Sequence, residues 1–134
     1  MTISEALGAA APVVRPADPG AVTAWVDVVA VDELTPGRGV AALVAGRQVA
    51  IFLTADDEVH ALDNLDPFSG AHVLSRGIVG DRAGVPKVAS PMYKQSFDLR
   101  TGRCLDDDGV AVAVHPVRVV AGRVEVGVVE VGVT

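Results

Sequence analysis

One cysteine and three histidines supply the side chains of this chain that most often act as nucleophiles or metal ligands. Cys104 precedes the acidic run 106–108, whereas reactive thiols lie in electropositive surroundings. His60, His72 and His115 are far apart in the sequence, and none has a second ligand at a spacing typical of metal sites. The residues alone therefore predict a structural cysteine and ordinary histidines. His72 is of most interest among the histidines because it lies in a segment that is predicted to be a long loop.

Glycine-rich and acidic segments do not match known binding motifs either. Gly77, Gly80 and Gly84 fit neither the P-loop nor the dinucleotide-binding spacing, and the nucleophile motif G-x-S-x-G is absent. The run 106–108 lacks the alternating ligands of a calcium loop, so we expect a solvated turn. A net charge of −6 with scattered basic residues argues against nucleic acid or an anionic membrane as the main partner.

The elements that must position any site are predicted to be strands. No stretch of ten or more residues has helical periodicity with caps, and the chain is rich in valine, which suits a pleated, half-buried surface. Tight hairpin turns are expected at 46–47 and around 121–123. The expected strands are 25–29, 39–45, 48–54, 59–62, 88–90, 96–99, 117–120 and 124–128. The fold class is therefore all-β, a small sandwich or barrel.

Residues 63–87 interrupt this pattern with four glycines and two prolines and with no clean period. We expect a long ordered loop there, with one helical turn around 71–76. Loops of this length inside a small domain are usually functional or disordered. The segment is thus the first place to look for a site.

The two ends of the chain are expected to be tails. Residues 1–23 are rich in alanine and proline and lack the basic start of a signal peptide. The folded domain is predicted over 24–129, with a short tail at 130–134. The uninterrupted apolar runs, such as 49–53, are far shorter than the roughly 20 residues of a membrane helix. With a single thiol, these features predict a cytoplasmic protein.

Two motifs in and after the long segment resemble the loops of Rieske iron–sulfur domains. The sequence D-P-F-S-G-A occupies 66–71 and is followed by L-S-R-G, and S-P-M-Y-K-Q-S-F-D occupies 90–98. Rieske domains have approximately C-P-H-x-G-A, then L-S-x-G, and C-P-x-H-G-x-x-F-D. The matching framework residues are Pro67, Gly70, Ala71, Leu74, Ser75, Gly77, Pro91, Phe97 and Asp98. The resemblance implies a Rieske-like sandwich with two loop tips at the position of the cluster.

The resemblance fails at all four ligand positions. Two cysteines and two histidines hold the irons in a Rieske centre. This chain has Asp66 and Phe68 in the first loop, and Ser90 and Tyr93 in the second. Phenylalanine has no donor atom, and hydroxyl groups are poor substitutes for thiolate and imidazole. We therefore expect no cluster, no metal ligand and no catalytic residue in this chain.

A more specific resemblance is to the small subunit of assimilatory NAD(P)H-dependent nitrite reductase, a Rieske-like domain without the cluster. It is carried by N-x-D-P-F-S-G-A-x-V-x-S-R-G-I-V-G-D-R from residue 64 and by V-x-S-P-x-Y-K-Q-x-F-x-L-x-x-G-x-C-L-D-D from residue 88. It implies a large catalytic subunit as partner, carrying FAD, a [4Fe–4S] cluster and sirohaem, and a complex that reduces nitrite to ammonium. The isolated chain is expected to be inactive.

The substituted loop tips suggest two hypotheses. Phe68, Met92 and Tyr93 are expected to form an apolar plug in place of the cluster, because burying each would stabilise the loops by roughly 1.5–3 kcal/mol. Asp66 before Pro67 is expected to start an Asx turn. Alternatively, the tips form a surface for a partner, made of Phe68, Arg76, Met92, Tyr93 and Lys94.

Two other functions are compatible with the sequence. The chain could be an electron carrier with an unusual metal site built from Asp66, His72 and Tyr93, although this ligand set suits no iron–sulfur centre. It could also be a free-standing Rieske-derived binding module, or a ferredoxin-like partner of another oxidoreductase. Iron analysis would test the first, and co-purification with a large flavin- and sirohaem-containing chain would test the second.

Overall fold

The structure, a computed structural model, describes residues 22–129, which form ten strands and two short 3₁₀ turns. The strands are β1 Val22–Ala30, β2 Gly39–Val44, β3 Arg47–Leu53, β4 Val59–Asp63, β5 Ile78–Arg82, β6 Val85–Ala89, β7 Ser96–Asp98, β8 Val114–His115, β9 Val117–Val120 and β10 Arg123–Val129. The 3₁₀ turns are Val31–Glu33 and Leu74–Arg76. The all-β prediction is confirmed, and the second 3₁₀ turn lies where one helical turn was expected.

Three antiparallel sheets build the domain. The first has the order β1-β10-β9, the second β2-β3-β4-β8, and the third β5-β6-β7. Within residues 22–129, five of the seven strand pairs join consecutive strands, which need only short connections, whereas β1-β10 and β4-β8 pair strands far apart in the chain. The third sheet carries the second of the two motif loops, which leaves β6 and returns as β7.

Strands β3 and β4 of the second sheet are largely buried on both faces. Along β3, Val49, Ile51 and Leu53 belong to a core shared with the first sheet, whereas Ala50 and Phe52 belong to a second core under the motif loops. Successive side chains of a strand point to opposite faces, so both faces must be apolar. The uninterrupted apolar run 49–53 therefore marks a strand covered on both sides.

Three two-residue hairpin turns share the pair Ala-Gly, with positive φ at both positions. They are Ala45–Gly46, Ala83–Gly84 and Ala121–Gly122. Such turns match the twist of the flanking strands. The turn expected at 46–47 is therefore one residue too late, since Arg47 already begins β3. Ala-Gly is a weaker turn signal than Asn-Gly, which explains the shift.

The prediction of one long loop over 63–87 is wrong in its second half. Residues 78–89 form a hairpin in which β5 pairs with β6 around Ala83–Gly84. Most of β5 is exposed, so its residues I-V-G-D-R do not alternate between apolar and polar. A strand without a buried face has no period of two for a sequence pattern to reveal.

The first and last described strands lie side by side, with Val22 opposite Val129. Strand β1 thus begins two residues before the predicted domain start at residue 24. The predicted tails lie otherwise outside the described residues. Within 22–129 no helix has the length and apolar character needed to cross a membrane.

Asp63, at the end of β4, lies between two basic side chains. Its carboxylate is 2.7 Å from His115 Nε2 and accepts a hydrogen bond of 2.7 Å from Arg47 Nη2. Burial disfavours the charged carboxylate, but the hydrogen bonds and charges of His115 and Arg47 outweigh burial and hold the pKa of Asp63 below its usual value. Ionised Asp63 therefore stabilises the folded chain.

This arrangement predicts a loss of stability in acid. A carboxyl whose pKa is lower in the folded chain contributes above its unfolded pKa of about 4, and the contribution disappears as pH falls through the folded value. Asp63→Asn should lower the free energy of unfolding at neutral pH by about 1–2 kcal/mol and make its acid decline shallower. Urea unfolding at a series of pH values measures both. An identical acid decline in the variant would contradict this role.

Candidate functional site

The first motif loop, residues 66–71, is closed by three hydrogen bonds centred on Asp66. Its backbone N–H donates to Ala71 O at 2.8 Å, and its backbone carbonyl accepts from the Gly70 N–H at 2.8 Å. Its side-chain Oδ1 accepts from the Phe68 N–H at 2.8 Å. The last contact is the expected Asx turn, which is confirmed.

The second loop, residues 90–95, repeats this pattern around Ser90. The Ser90 N–H donates to Gln95 O at 2.9 Å, and the Lys94 N–H donates to Ser90 O at 3.0 Å. Ser90 Oγ accepts from the Met92 N–H at 3.2 Å. A proline follows the anchor residue in each loop. The two loops are therefore backbone copies of each other, although their sequences share little beyond that proline.

The two anchor residues contact each other across the gap between the loops. Ser90 Oγ donates a hydrogen bond of 2.6 Å to Asp66 Oδ2. Asp66 is 0% exposed and Ser90 is 1% exposed. A buried hydrogen bond to a carboxylate is stronger than a neutral one, and losing either partner would leave the other unsatisfied. We call this contact the loop clamp.

The loop clamp replaces the predicted apolar plug, which is wrong. Tyr93 is 61% exposed and Met92 is 48% exposed, so neither covers the space between the loops. Only Phe68 is partly buried, and its ring packs against Phe97 with centroids 6.1 Å apart. The loops are joined by a polar contact below their tips, and this leaves the apolar tip residues free to face outward.

Asn64, which the sequence analysis did not single out, holds the base of the first loop. It is 2% exposed, and its side-chain Nδ2 donates to Gln48 Oε1 and to His72 O, both at 3.2 Å. Its Oδ1 accepts from the Ser75 N–H at 2.7 Å. The amide thus connects β3, the loop and the second 3₁₀ turn. The sequence signal for this role was the position of Asn64 as the first residue of the motif N-x-D-P.

Asn64→Asp tests this role with almost no change in shape. The variant replaces two donors by a carboxylate oxygen that faces Gln48 Oε1 and His72 O, so acceptors would oppose acceptors in a buried place. We expect the free energy of unfolding to fall by about 2–4 kcal/mol, measured by urea unfolding. Gln48→Ala is the milder control, because it removes one partner only. Equal stability of Asn64→Asp and the parent would contradict the assignment.

The other chemistry-bearing residues are placed in structural roles. Cys104 is buried at the edge of the second core. Asp106 accepts from the Ser96 N–H at 2.8 Å and from Arg82 at 3.2 Å. The Ser96 hydrogen bond chiefly, with Arg82, keeps the Asp106 pKa low. The run 106–108 is exposed as expected, but Asp106 also links the third sheet to the segment after β7.

The structure does not assemble the alternative metal site. Asp66 is buried with both oxygens engaged, whereas His72 and Tyr93 are exposed. Across the described part of the chain, no three side chains of the His, Cys, Asp and Glu types are grouped so that they could hold a metal ion. The three residues are therefore not arranged as a ligand set.

Exposed apolar side chains concentrate around the loops. The segments 64–80 and 88–97 are called the loop end below. Of the six large apolar residues exposed in the described part, four lie there; the six are Leu43, Leu65, Ile78, Met92, Tyr93 and Val120. A concentration of apolar residues at one end of a small domain is typical of an interaction surface.

Comparison with known proteins bears directly on this geometry. The family model for Rieske-like [2Fe–2S] domains matches residues 24–127. The nitrite reductase (NADH) small subunit of Salmonella typhimurium is 43% identical over 102 residues, which are 75% of this chain and 94% of that protein. The chain belongs to the nitrite reductase small-subunit family of Rieske-like domains.

Two further relatives support the family assignment. A crystal structure from Mycobacterium tuberculosis, assigned as the small subunit of an NADH-dependent nitrite reductase, is 54% identical, with a TM-score of 0.78. The match covers 81% of this chain and 97% of that one. The nitrite reductase [NAD(P)H] large subunit of Klebsiella oxytoca is 46% identical over 77% of this chain, but the match spans only 11% of its own length.

The residues of this small-subunit relative do not fit the cluster that the Rieske-like family name implies. The two positions that resemble the cysteine positions hold Asp66 and Ser90, whose side chains already bond each other. At the histidine positions, Phe68 packs on Phe97, and the Tyr93 side chain lies in solvent. Hard oxygen donors and a donor-free ring do not provide the thiolates and imidazoles of this centre.

Proposed function

We propose that this chain is the accessory small subunit of an NAD(P)H-dependent nitrite reductase, and that it supports the large catalytic subunit without binding a cluster itself. The observation that carries the proposal is the loop clamp, which occupies the cluster position in a chain that aligns with nearly the whole length of known small subunits. Its loops are thus shaped as in a Rieske domain but are held together by protein groups.

The Klebsiella relative supports the large subunit as partner. That protein carries a region 46% identical to this chain within a polypeptide about nine times longer than the match. A domain that is part of the large subunit in one organism is expected to lie against it in another. The adjacent ends of β1 and β10 suit such a connection, because a domain with neighbouring termini can join a longer chain without distortion.

The division of chemistry follows from this arrangement. FAD, the [4Fe–4S] cluster and sirohaem are proposed to belong to the large subunit, which would reduce nitrite to ammonium in the cytoplasm. The small subunit would be inactive alone and would contribute neither a catalytic group nor an electron relay. Its contribution would be to stabilise or position the large subunit.

The loop end is the proposed contact surface. Phe68, Arg76, Met92, Tyr93 and Lys94 lie on it, and the last four are exposed. An apolar centre with basic residues beside it is a suitable composition for an interface. Tyr and Met are enriched among interface residues, and Tyr is also enriched among those that dominate affinity. The clamp keeps this surface in shape before the partner binds.

Reconstitution of the two-subunit enzyme tests the proposal. NAD(P)H-dependent nitrite reduction is measured with the large subunit alone and after adding this chain. We expect a gain of at least about tenfold with the parent chain. The variant Met92→Ser/Tyr93→Ser should need at least about tenfold more protein for half of that gain, as for loss of two interface anchors.

Leu43→Ser is the matched control, because Leu43 is as exposed as Tyr93 but lies on β2. It should behave like the parent chain. Equal nitrite reduction with and without this chain, together with no complex on a sizing column, would contradict the accessory role. An effect of Leu43→Ser equal to that of the loop variant would contradict the loop end as the contact surface.

A further inference from the structure

Lys94 has an unusual backbone conformation for its place in the second loop. Its φ is +66°, and Gly70, the equivalent residue of the first loop, has a φ of +76°. Each of these residues donates its N–H to the backbone carbonyl of its anchor, Ser90 or Asp66. Glycine adopts this left-handed conformation readily, whereas a lysine is strained there. The fold therefore requires the conformation at both positions but does not require a lysine.

Strain alone does not mark Lys94 as functional. Among the described residues, four other non-glycine residues also have positive φ, and three are alanines in hairpin turns; the four are Ala45, Asp57, Ala83 and Ala121. Lys94 differs from the alanines in carrying a charge on an exposed side chain at a loop tip. Its side chain makes no hydrogen bond or ion pair among those found for the described residues. Its charge therefore has no evident use within the described part of the fold.

The loop-end segments that include Lys94 are basic, whereas the whole chain is acidic. The net charge is −6, yet the loop-end segments 64–80 and 88–97 contain a single acidic residue, Asp66. That residue is buried in the loop clamp. These segments contain one arginine, Arg76, and one lysine, Lys94, and both are exposed. The loop-end segments are thus basic and apolar in an acidic protein, with the Asp106 carboxylate contacting them at the Ser96 N–H.

We propose that Lys94 is a specificity-determining residue that pairs with an acidic patch on the nitrite reductase large subunit. This inference rests on the proposed function and names the chemistry of the partner surface. Lys94 directly follows the exposed Met92 and Tyr93 in the second loop, so an acidic group next to an apolar patch would match this surface. Complementary charge at the edge of an interface speeds association and selects the partner more than it adds affinity.

Binding of the purified large subunit to this chain tests the inference. We expect Lys94→Gly to weaken binding about 3–10-fold and Lys94→Glu about 10–100-fold at low salt, with Lys94→Arg within about twofold of the parent. The affinity of both weakened variants for the large subunit should also depend less on salt than the affinity of the parent. Lys94→Gly should raise the melting temperature of the isolated chain by about 2–4 °C, since strain is relieved.

Ala121→Gly is the matched control for strain, because it also introduces glycine at a positive φ but lies in the β9–β10 hairpin. It should leave binding unchanged. One outcome separates this inference from the proposed function. If the parent binds and Met92→Ser/Tyr93→Ser weakens binding, but all Lys94 variants bind like the parent, then this inference fails and the proposed function stands. If the parent itself does not bind the large subunit, both fail. Weakening by Lys94→Glu that persists unchanged at high salt would also overturn the charge pairing.

Discussion

Asp66→Ala is expected to lower the free energy of unfolding by about 2–4 kcal/mol. The substitution removes the acceptor of the Ser90 hydroxyl and the acceptor of the Phe68 N–H in one step. Ser90 is almost fully buried, so its hydroxyl would find no solvent in exchange. Because the second loop would also lose its connection to the first, we expect faster hydrogen exchange of the amides of Gly70 and Lys94. Urea unfolding and exchange measured by NMR test the two effects.

Two further variants test the clamp while the Asx turn of the first loop is kept or removed. Ser90→Ala removes the clamp donor and the acceptor of the Met92 N–H but leaves the Asx turn of Asp66 in place, so its cost should be smaller, about 1–3 kcal/mol. The double variant Asp66→Ala/Ser90→Ala should lose less free energy of unfolding than the sum of the losses in the two single variants, because the two residues act as a pair. Strict additivity would contradict a direct clamp. A Ser75→Ala variant controls for general effects of the loop, since Ser75 contributes its backbone N–H to Asn64.

Restoring the four ligand types is expected to convert the loop end into a cluster site. The variant Asp66→Cys, Phe68→His, Ser90→Cys and Tyr93→His would place two thiols where two side chains now meet at 2.6 Å. The N–H groups of Phe68 and Met92 already point at these positions and would be available to thiolate sulfur. We expect about two irons per chain, a visible absorption spectrum and the signal of a Rieske centre in electron paramagnetic resonance.

The iron-free form of this variant should be much less stable than the parent. It loses the loop clamp, and we expect its melting temperature to fall by about 10 °C and to recover when the cluster is assembled. The same variant with Ser90 kept as serine is the control and should not assemble the centre. Failure of the fourfold variant to take up iron while it remains folded would contradict the claim that these loops retain the shape of a cluster site.

The sequence could predict the fold and the identity of the loops, because long patterns determine both. The valine-rich runs and the run 49–53 indicated strands, and D-P-F-S-G-A with S-P-M-Y-K-Q indicated a pair of related loops. The sequence could not show the β5–β6 hairpin, since β5 is mostly exposed and has no period.

The failed plug prediction has a definite physical cause. From the sequence, Phe68, Met92 and Tyr93 were the apolar residues nearest the lost cluster, and apolar burial is the usual source of stability. The motifs place Asp66 and Ser90 at the two cysteine positions, but only the structure shows that both anchor their loops with matching hydrogen bonds and that they contact each other. A pairwise contact between residues 24 positions apart leaves no local pattern in one sequence.

The most direct test is to measure the iron content, visible absorption and chelator sensitivity of the purified chain. We expect a colourless protein without stoichiometric iron, whose unfolding midpoint is the same with and without a strong chelator, because the loop clamp joins the loops without a metal. A reddish-brown protein with about two irons per chain, and a lower midpoint after chelation, would contradict this expectation.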